Sequence, residues 1–148
     1  MNETSDKPEI RKKAMDLLAR REHSMLELRR KLITRGFDES LVDEVLARLQ
    51  QERLQCDARF TESYVHHRVS SGVGPLKIRY ELLQKGVRDD LIAEQLEARG
   101  EHWDAMMAQQ RARKFGDTIP QDLKDQMKQV RFLQNRGFSP ESVMRLFR

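Results

Sequence analysis

Apolar residues recur at helical spacing along this chain, in segments that are each closed by a glycine. Before Gly36, Gly86 and Gly137 the apolar side chains lie three and four positions apart, which is typical of the buried face of an amphipathic helix and not of an alternating strand. The glycines are separated by 50 and 51 residues. A constant spacing of this size predicts an internal repeat.

The residues around the three glycines also agree. Leucine stands four positions before each glycine, a basic residue directly precedes it, and a β-branched residue stands six positions after it. These positions are Leu32, Arg35 and Val42 in the first copy, Leu82, Lys85 and Ile92 in the second, and Leu133, Arg136 and Val143 in the third. A glycine suits the left-handed backbone that ends a helix, and the acids, serine or proline that follow favour a new helix start. Each copy therefore predicts a helix, a tight glycine turn and a second helix.

A further apolar helical pattern precedes each pair, over residues 10–21, 58–71 and 102–115. Ser24, with Glu27 three residues later, is a candidate capping box, and Gly74-Pro75 is a helix start. We predict an all-α fold of three tandem three-helix repeats, stacked into an elongated, curved molecule, because units of this size need to share apolar faces. The predicted boundaries are a flexible N-terminus over 1–9, then repeats over 10–54, 55–100 and 101–148. A monomer is expected.

Charge alternates along the chain although the total is only +4. Residues 10–36 contain nine basic and three acidic side chains, whereas residues 37–57 contain two and six. In the second copy residues 58–86 are again net basic and residues 87–105 net acidic, whereas in the third copy residues 106–137 are net basic and the last eleven residues have a net charge of +1. Because like elements align when repeats stack, we expect a basic zone that attracts phosphates or an acidic protein surface, beside an acidic zone that repels nucleic acid. The alternative is that these charges only solvate surface helices.

Arg29 and Arg79 interrupt the apolar faces of their helices. On a helical wheel Arg29 falls among Leu26, Leu28, Leu32 and Ile33, and Arg79 falls among Leu76, Ile78, Leu82 and Leu83. An arginine in this position is expected to run its stem over the core and to pair its charged end. A structural ion pair is favoured over a ligand contact.

The composition argues against several classes of protein. No apolar run is long enough to span a membrane, and the polar start from Met1 to Lys7 does not resemble a secretion signal, so a cytoplasmic protein is expected. Cys56 is the only cysteine, and it has no sequence partner for catalysis. The four histidines lack metal-ligand spacing, so we predict no metal, no cofactor and no catalytic residues. The sequence therefore argues against an enzyme.

Several motifs resemble those of the bacterial RecX regulators. The match to their first repeat consists of the stretch from Ala14 to Ser24, then Glu27 to Leu32, then Arg35-Gly36-Phe37. The second repeat is matched by Arg59-Phe60, Tyr64-Val65 and Arg68, then by Gly72 to Pro75, Ile78-Arg79, Glu81-Leu82 and Lys85-Gly86-Val87. Arg131-Phe132-Leu133 and Arg136 to Ser139 resemble the third, where Gln129, Val130 and Gln134 depart from the other copies.

The resemblance implies a modulator of RecA, the recombinase that forms filaments on single-stranded DNA. Proteins of this family are described as lying in the groove of that filament, where they inhibit its extension, ATP hydrolysis, strand exchange and co-protease activity. The chain would then act in homologous recombination, DNA repair and the SOS response. For contacts with the RecA nucleoprotein filament, including weak direct DNA contacts, the candidates are Arg20, Arg21, Arg30, Lys31, Arg35, Lys77 and Lys85.

Two other interpretations stay open at this point. Paired helices around a glycine turn superficially resemble a helix-turn-helix DNA-binding regulator, although no helix collects base-reading side chains and the acidic helices would face the phosphates. A plain helical-repeat scaffold for another protein is the third possibility.

Overall fold

A computed structural model describes residues 3–147, and this part of the chain contains nine α-helices and no β-strand. The helices follow one another in three groups of three. They are α1 Glu3–Arg20, α2 Met25–Thr34 and α3 Glu39–Gln51, then α4 Asp57–Ser70, α5 Pro75–Gln84 and α6 Asp89–Glu97, then α7 Trp103–Phe115, α8 Leu123–Asn135 and α9 Pro140–Leu146. The all-α prediction of three tandem three-helix repeats is confirmed.

Local sequence signals fix most helix ends as expected. Ser24 accepts a hydrogen bond from the Glu27 amide, and the Glu27 carboxylate accepts one from the Ser24 amide, which completes the predicted capping box of α2. The glycines after α2, α5 and α8 have φ angles of +95°, +77° and +101°. These left-handed turns end each helix and allow the next one to start within a few residues.

Two helices begin earlier than the apolar pattern indicates. Residues 1 and 2 of the segment 1–9 lie outside the described residues, and from Glu3 onward this segment is already part of α1. In the third repeat, α8 begins 14 residues before its turn glycine, whereas α2 and α5 begin 11 residues before theirs. Its first turn is capped by Asp122.

The chain forms two compact units. The first runs through Ser63 and takes in Leu83–Leu91, while the second takes in Tyr64–Leu82 and continues from Ile92. Each unit thus combines one terminal repeat with part of the middle one. The core of the first unit is formed by buried residues of α1, α2 and α3, among them Ile10, Ala14, Leu17, Leu28, Leu32, Val42, Leu46 and Leu49. The core around α7, α8 and α9 consists of Met107, Val130, Leu133, Phe138 and Val143.

One predicted apolar face is only partly buried. Ile78 and Leu82 of α5 are buried, but Leu76 and Leu83 are 50% and 40% exposed. The sequence pattern overestimates the burial of this face, since periodicity gives the orientation of a helix but not the extent to which neighbours cover it.

Candidate functional site

The first unit contains a junction between consecutive repeats, built on the glycine turn of the middle repeat. The Ser24 hydroxyl donates a hydrogen bond to the Lys85 carbonyl at 2.8 Å. The Gly86 backbone lies against Leu26 so closely that a Cβ atom on residue 86 would stand 2.8 Å from that side chain. The turn of one repeat therefore docks on the first turn of the second helix of the repeat before it.

The second unit contains an equivalent junction, between the middle and the last repeat. The Gly74 and Leu76 amides donate to the carbonyls of Arg136 and Gly137, at 2.6 and 2.9 Å. Gly74 stands 12 residues before its turn glycine, as Ser24 does in the first repeat. The same repeat positions therefore form both junctions, with a side-chain donor in one and a backbone donor in the other.

The first junction gathers basic candidates around one half-buried acid, Glu27. Its carboxylate lies 3.1 Å from the Arg21 guanidinium and 3.3 Å from the Lys85 ammonium. Burial of this carboxylate raises its pKa, but hydrogen bonds from Arg21 and the Ser24 amide, together with the charges of Arg21 and Lys85, outweigh burial and lower the pKa to about 2. Glu27 is therefore ionised throughout the physiological range and neutralises part of the basic surface.

His23 and Lys31 extend this cluster. The buried His23 ring places Nδ1 3.1 Å from the Arg21 carbonyl and Nε2 2.9 Å from the Lys31 Nζ. Burial lowers the pKa of His23, and the charges of Arg21 and Lys31 lower it further. The neutral ring donates from Nδ1 and accepts from Lys31 at Nε2. Partial burial also lowers the pKa of Lys31, as do the charges of Arg21, Lys85 and Arg20.

The remaining candidates of the first unit lie around α2. Arg30 is exposed and donates to the Gln84 carbonyl at 3.1 Å, so it also lies at the junction. Arg35 is exposed beyond the end of α2, where it lines a cavity of about 370 Å³ with Lys12 and Lys13. The structure therefore brings Arg20, Arg21, Arg30, Lys31 and Lys85 to one region of this unit and places Arg35 at the other end of α2.

Lys77 belongs to the second unit, where sequence reasoning missed its neighbours. It lines a cavity of about 280 Å³ together with Arg68, Phe132, Asn135 and Arg136. Arg136 precedes the turn glycine as Lys85 does, and that equivalence was the available sequence signal. Arg68 lies on α4, where it belongs to the motifs that resemble the second RecX repeat, but its charge pattern does not single it out as a contact residue.

The two arginines proposed as structural residues differ in their surroundings. Arg29 is half-buried, donates to Asp43 at 2.8 Å and also pairs with Glu39, so it links α2 to α3. The hydrogen bonds that Arg29 donates to Asp43 and Glu39 raise its pKa. Arg79 is exposed on α5.

A buried arginine in the third repeat escaped the sequence analysis. Arg111 is 5% exposed; it donates to Gln129 at 2.9 Å and to the Thr118 carbonyl at 2.7 Å. Gln129 occupies the position of Leu28 and Ile78, so the departure from the repeat pattern supplies a hydrogen-bond partner inside the core. A polar residue at an otherwise apolar repeat position was the signal for it.

No described part of the chain combines three or more His, Cys, Asp or Glu side chains into a possible metal site. Among the helices of residues 3–147, none is long and apolar enough to cross a membrane.

Three family models match the chain in sequence order. The first, second and third three-helix domains of RecX match residues 11–49, 57–96 and 104–147. Among curated relatives, the regulatory protein RecX of Pseudomonas fluorescens strain SBW25 is 44% identical over 137 residues, which are 93% of this chain and 88% of the relative. That of Ectopseudomonas mendocina is 42% identical over 139 residues, covering 94% and 93%.

Solved structures show the same fold at lower identity. The crystal structure of RecX from Lactobacillus salivarius has a TM-score of 0.80 at 21% identity, covering 97% of this chain and 95% of the other. A second crystal structure, of regulatory protein RecX, has a TM-score of 0.82 at the same identity and is covered over 72% of its length. Since three successive domain models and full-length relatives agree, this chain belongs to the RecX family.

Proposed function

We propose that this protein binds the filament that RecA forms on single-stranded DNA and inhibits its extension, ATP hydrolysis, strand exchange and co-protease activity. The observation that supports this most is the match of the whole three-domain array to proteins named as RecX regulators. In this proposal the protein acts by binding, without catalysis and in the cytoplasm, and thereby limits recombination and the SOS response.

The basic residues at the first junction support an electrostatic mode of attachment. Arg20, Arg30 and Lys31 are exposed there, while Glu27 forms ion pairs with Arg21 and Lys85. A filament presents many identical subunits and a phosphate backbone, so weak cationic contacts at several places add through effective concentration. In this proposal Arg20, Arg21, Arg30, Lys31, Arg35, Lys77 and Lys85 provide such contacts.

The experiment compares binding to naked duplex, naked single strand and RecA-coated single strand across a range of salt concentrations, with RecA ATPase measured in parallel. Preference for the coated strand together with falling ATPase activity is the expected result. Tight sequence-specific binding to naked duplex would support a direct DNA-binding regulator instead. Indifference to all three would favour a scaffold for another protein.

A further inference from the structure

The two junctions carry opposite charges at one repeat position. Glu27 and Lys77 both stand nine residues before the glycine that ends their helix pair, and both lie beside the basic residue of the docked turn. In the first junction the Glu27 carboxylate neutralises Lys85 and Arg21. In the second junction Lys77 stands at the position of this acid, so a positive charge replaces the negative one.

Among the described residues, two positive charges of the second junction have no carboxylate partner. Arg68 is bonded by both carboxylate oxygens of Glu81, at 3.0 and 2.9 Å, and is thus compensated. Neither Lys77 nor Arg136 forms an ion pair with any carboxylate of the described residues. Lys77 is exposed and Arg136 is half-buried, so both charged groups can be reached by a ligand.

The position of Arg136 is fixed by its neighbours. Its guanidinium lies 5.2 Å from the centre of the Phe132 ring and donates to the Ser71 carbonyl at 3.3 Å. The carbonyls of Arg136 and Gly137 are held by Gly74 and Leu76. A cation that is already oriented loses little conformational entropy when it binds an anion.

The ligand chemistry follows from the groups around the cavity. The guanidinium of Arg136, held over the Phe132 ring, the ammonium of the exposed Lys77 and the exposed amide of Asn135 form a small combination of the kind that binds a phosphodiester and hydrogen-bonds the adjoining base of a single strand. A phosphodiester offers two unesterified oxygens that accept from Lys77 and Arg136 together, and its base lies within reach of the Asn135 amide; an acidic peptide is the competing ligand that the polyglutamate measurement below tests. The cavity of about 280 Å³ is large enough for a phosphate group, not for a folded element.

We propose that the Lys77–Arg136 cleft of the second unit is a binding site for one phosphate of a single-stranded polynucleotide. The phosphate there takes the place that the Glu27 carboxylate occupies in the first unit. This inference rests on the proposed function only for the source of the strand, since a RecA filament contains one. The site itself is defined by the chain's own residues.

Lys77→Glu is the decisive variant, because it installs the acid found at the equivalent position of the first unit. The new carboxylate is expected to pair with Arg136, so the variant keeps or gains stability in urea unfolding while the site loses its anion affinity. Lys128→Glu is the matched control: it changes the net charge equally, at the same repeat position of the third repeat, where α8 is exposed. Lys77→Gln removes the charge without adding an acid.

The measurement is fluorescence anisotropy of a labelled oligothymidylate with the full-length variants and no RecA, over a salt series. Lys77→Glu is expected to weaken binding roughly five- to tenfold. The slope of log affinity against log salt concentration should become shallower by about 0.7 for each phosphate that the variant no longer binds. Lys77→Gln should weaken binding less than Lys77→Glu does, and Lys128→Glu should weaken it by less than about twofold. Equal effects of Lys77→Glu and Lys128→Glu would overturn the site. So would Lys77-dependent binding of a labelled polyglutamate with no Lys77-dependent binding of the oligonucleotide.

The same variants added to a RecA ATPase assay separate this inference from the proposed function. If the unaltered protein fails to inhibit RecA, the proposed function fails, while Lys77-dependent oligonucleotide binding still supports the cleft. If inhibition occurs and oligonucleotide binding is independent of Lys77, the cleft is wrong and the function stands.

Discussion

Gly137 lies against Lys77 so closely that a Cβ atom on residue 137 would stand 2.5 Å from the Lys77 Cβ. At Gly86 the corresponding neighbour is the Leu26 side chain, whereas nothing lies within 4 Å of such an atom at Gly36. The three turn glycines share a positive φ, but only the later two are also required by close approach of another repeat.

An alanine scan of these glycines is expected to separate the two requirements. Gly36→Ala should cost about 1–2 kcal/mol of unfolding free energy, since it adds only the strain of a left-handed backbone. Gly137→Ala should cost roughly 3–5 kcal/mol, because the added methyl group also displaces Lys77 and the Gly74 carbonyl. Urea unfolding measures both. Equal losses at the two positions would contradict the docking role of the Gly137 turn.

Glu27 should make the first junction sensitive to acid. Its pKa falls from an ordinary 4.5 to about 2 in the folded protein, so its stabilising contribution is complete above 4.5 and is lost as pH falls toward 2. Because each unit of pKa difference between the folded and unfolded protein corresponds to about 1.4 kcal/mol, Glu27→Gln should lower the free energy of unfolding by up to about 3 kcal/mol at pH 7 and by little near pH 2.

The measurement is urea unfolding of both proteins at several pH values between 2 and 7. As a control, Glu62→Gln removes an exposed acid for which no ion pair is found in the described chain. A constant difference between Glu27→Gln and the unaltered protein across this range would show that the ionised carboxylate is not what stabilises the junction.

Arg111 should be essential to the core of the third repeat. Arg111→Met keeps much of the apolar stem but leaves the Gln129 side chain and the Thr118 carbonyl without their donor. An unsatisfied buried polar group costs about 1–3 kcal/mol, and the Gln129 side chain becomes such a group here, whereas Thr118 is exposed to solvent. We expect Arg111→Met to unfold at lower urea concentration and the double variant with Gln129→Leu to recover part of the loss, since the pair of polar groups is then replaced. No recovery in the double variant would argue against direct coupling of the two residues.

The basic side chains along α2 test the proposed attachment to the filament. Reversal of Arg30, Lys31 and Arg35 to Glu should weaken inhibition of RecA ATPase at least about tenfold while leaving helicity intact, because opposed charges replace attractive ones. Reversal of Arg48, Arg53 and Arg88, which are exposed in acidic stretches, changes the net charge equally and is the control. Circular dichroism checks that both variants fold. Unchanged inhibition by the first variant would exclude this face as the contact.

Local features of the fold could be predicted from the sequence because their causes are local. The Ser24–Glu27 capping box and the left-handed turn at Gly36 depend on residues a few positions apart, and both occur as expected. The pairing of Ser24 with Lys85 joins positions 61 residues apart. Neither residue type reveals it, since serine and lysine are also ordinary at a helix cap and a helix end.

The candidate site likewise has features that the sequence predicts and features that depend on contacts between distant residues. The repeat pattern identifies Lys85 as a basic residue next to a glycine turn and Lys77 as a basic residue inside α5. It cannot show that Glu27 lies between Arg21 and Lys85. The sequence indicates Arg136 only as a turn residue. Its role depends on the contact with Phe132 and on the docking of its turn, which are properties of the assembled unit.

The early start of α8 limits how many repeats can follow one another. The donors at the second junction, Gly74 and Leu76, correspond to Asp125 and Met127, which lie inside α8 because that helix begins at Leu123. The additional helical turn of α8 occupies the place where the glycine turn of a further repeat would have to dock. The Met127 amide already donates a hydrogen bond within α8, so it is not free to bond such a turn. Duplicating the gene segment for the last repeat would thus yield a tethered domain rather than a longer array, unless the region 116–128 were exchanged for its counterpart from the middle repeat.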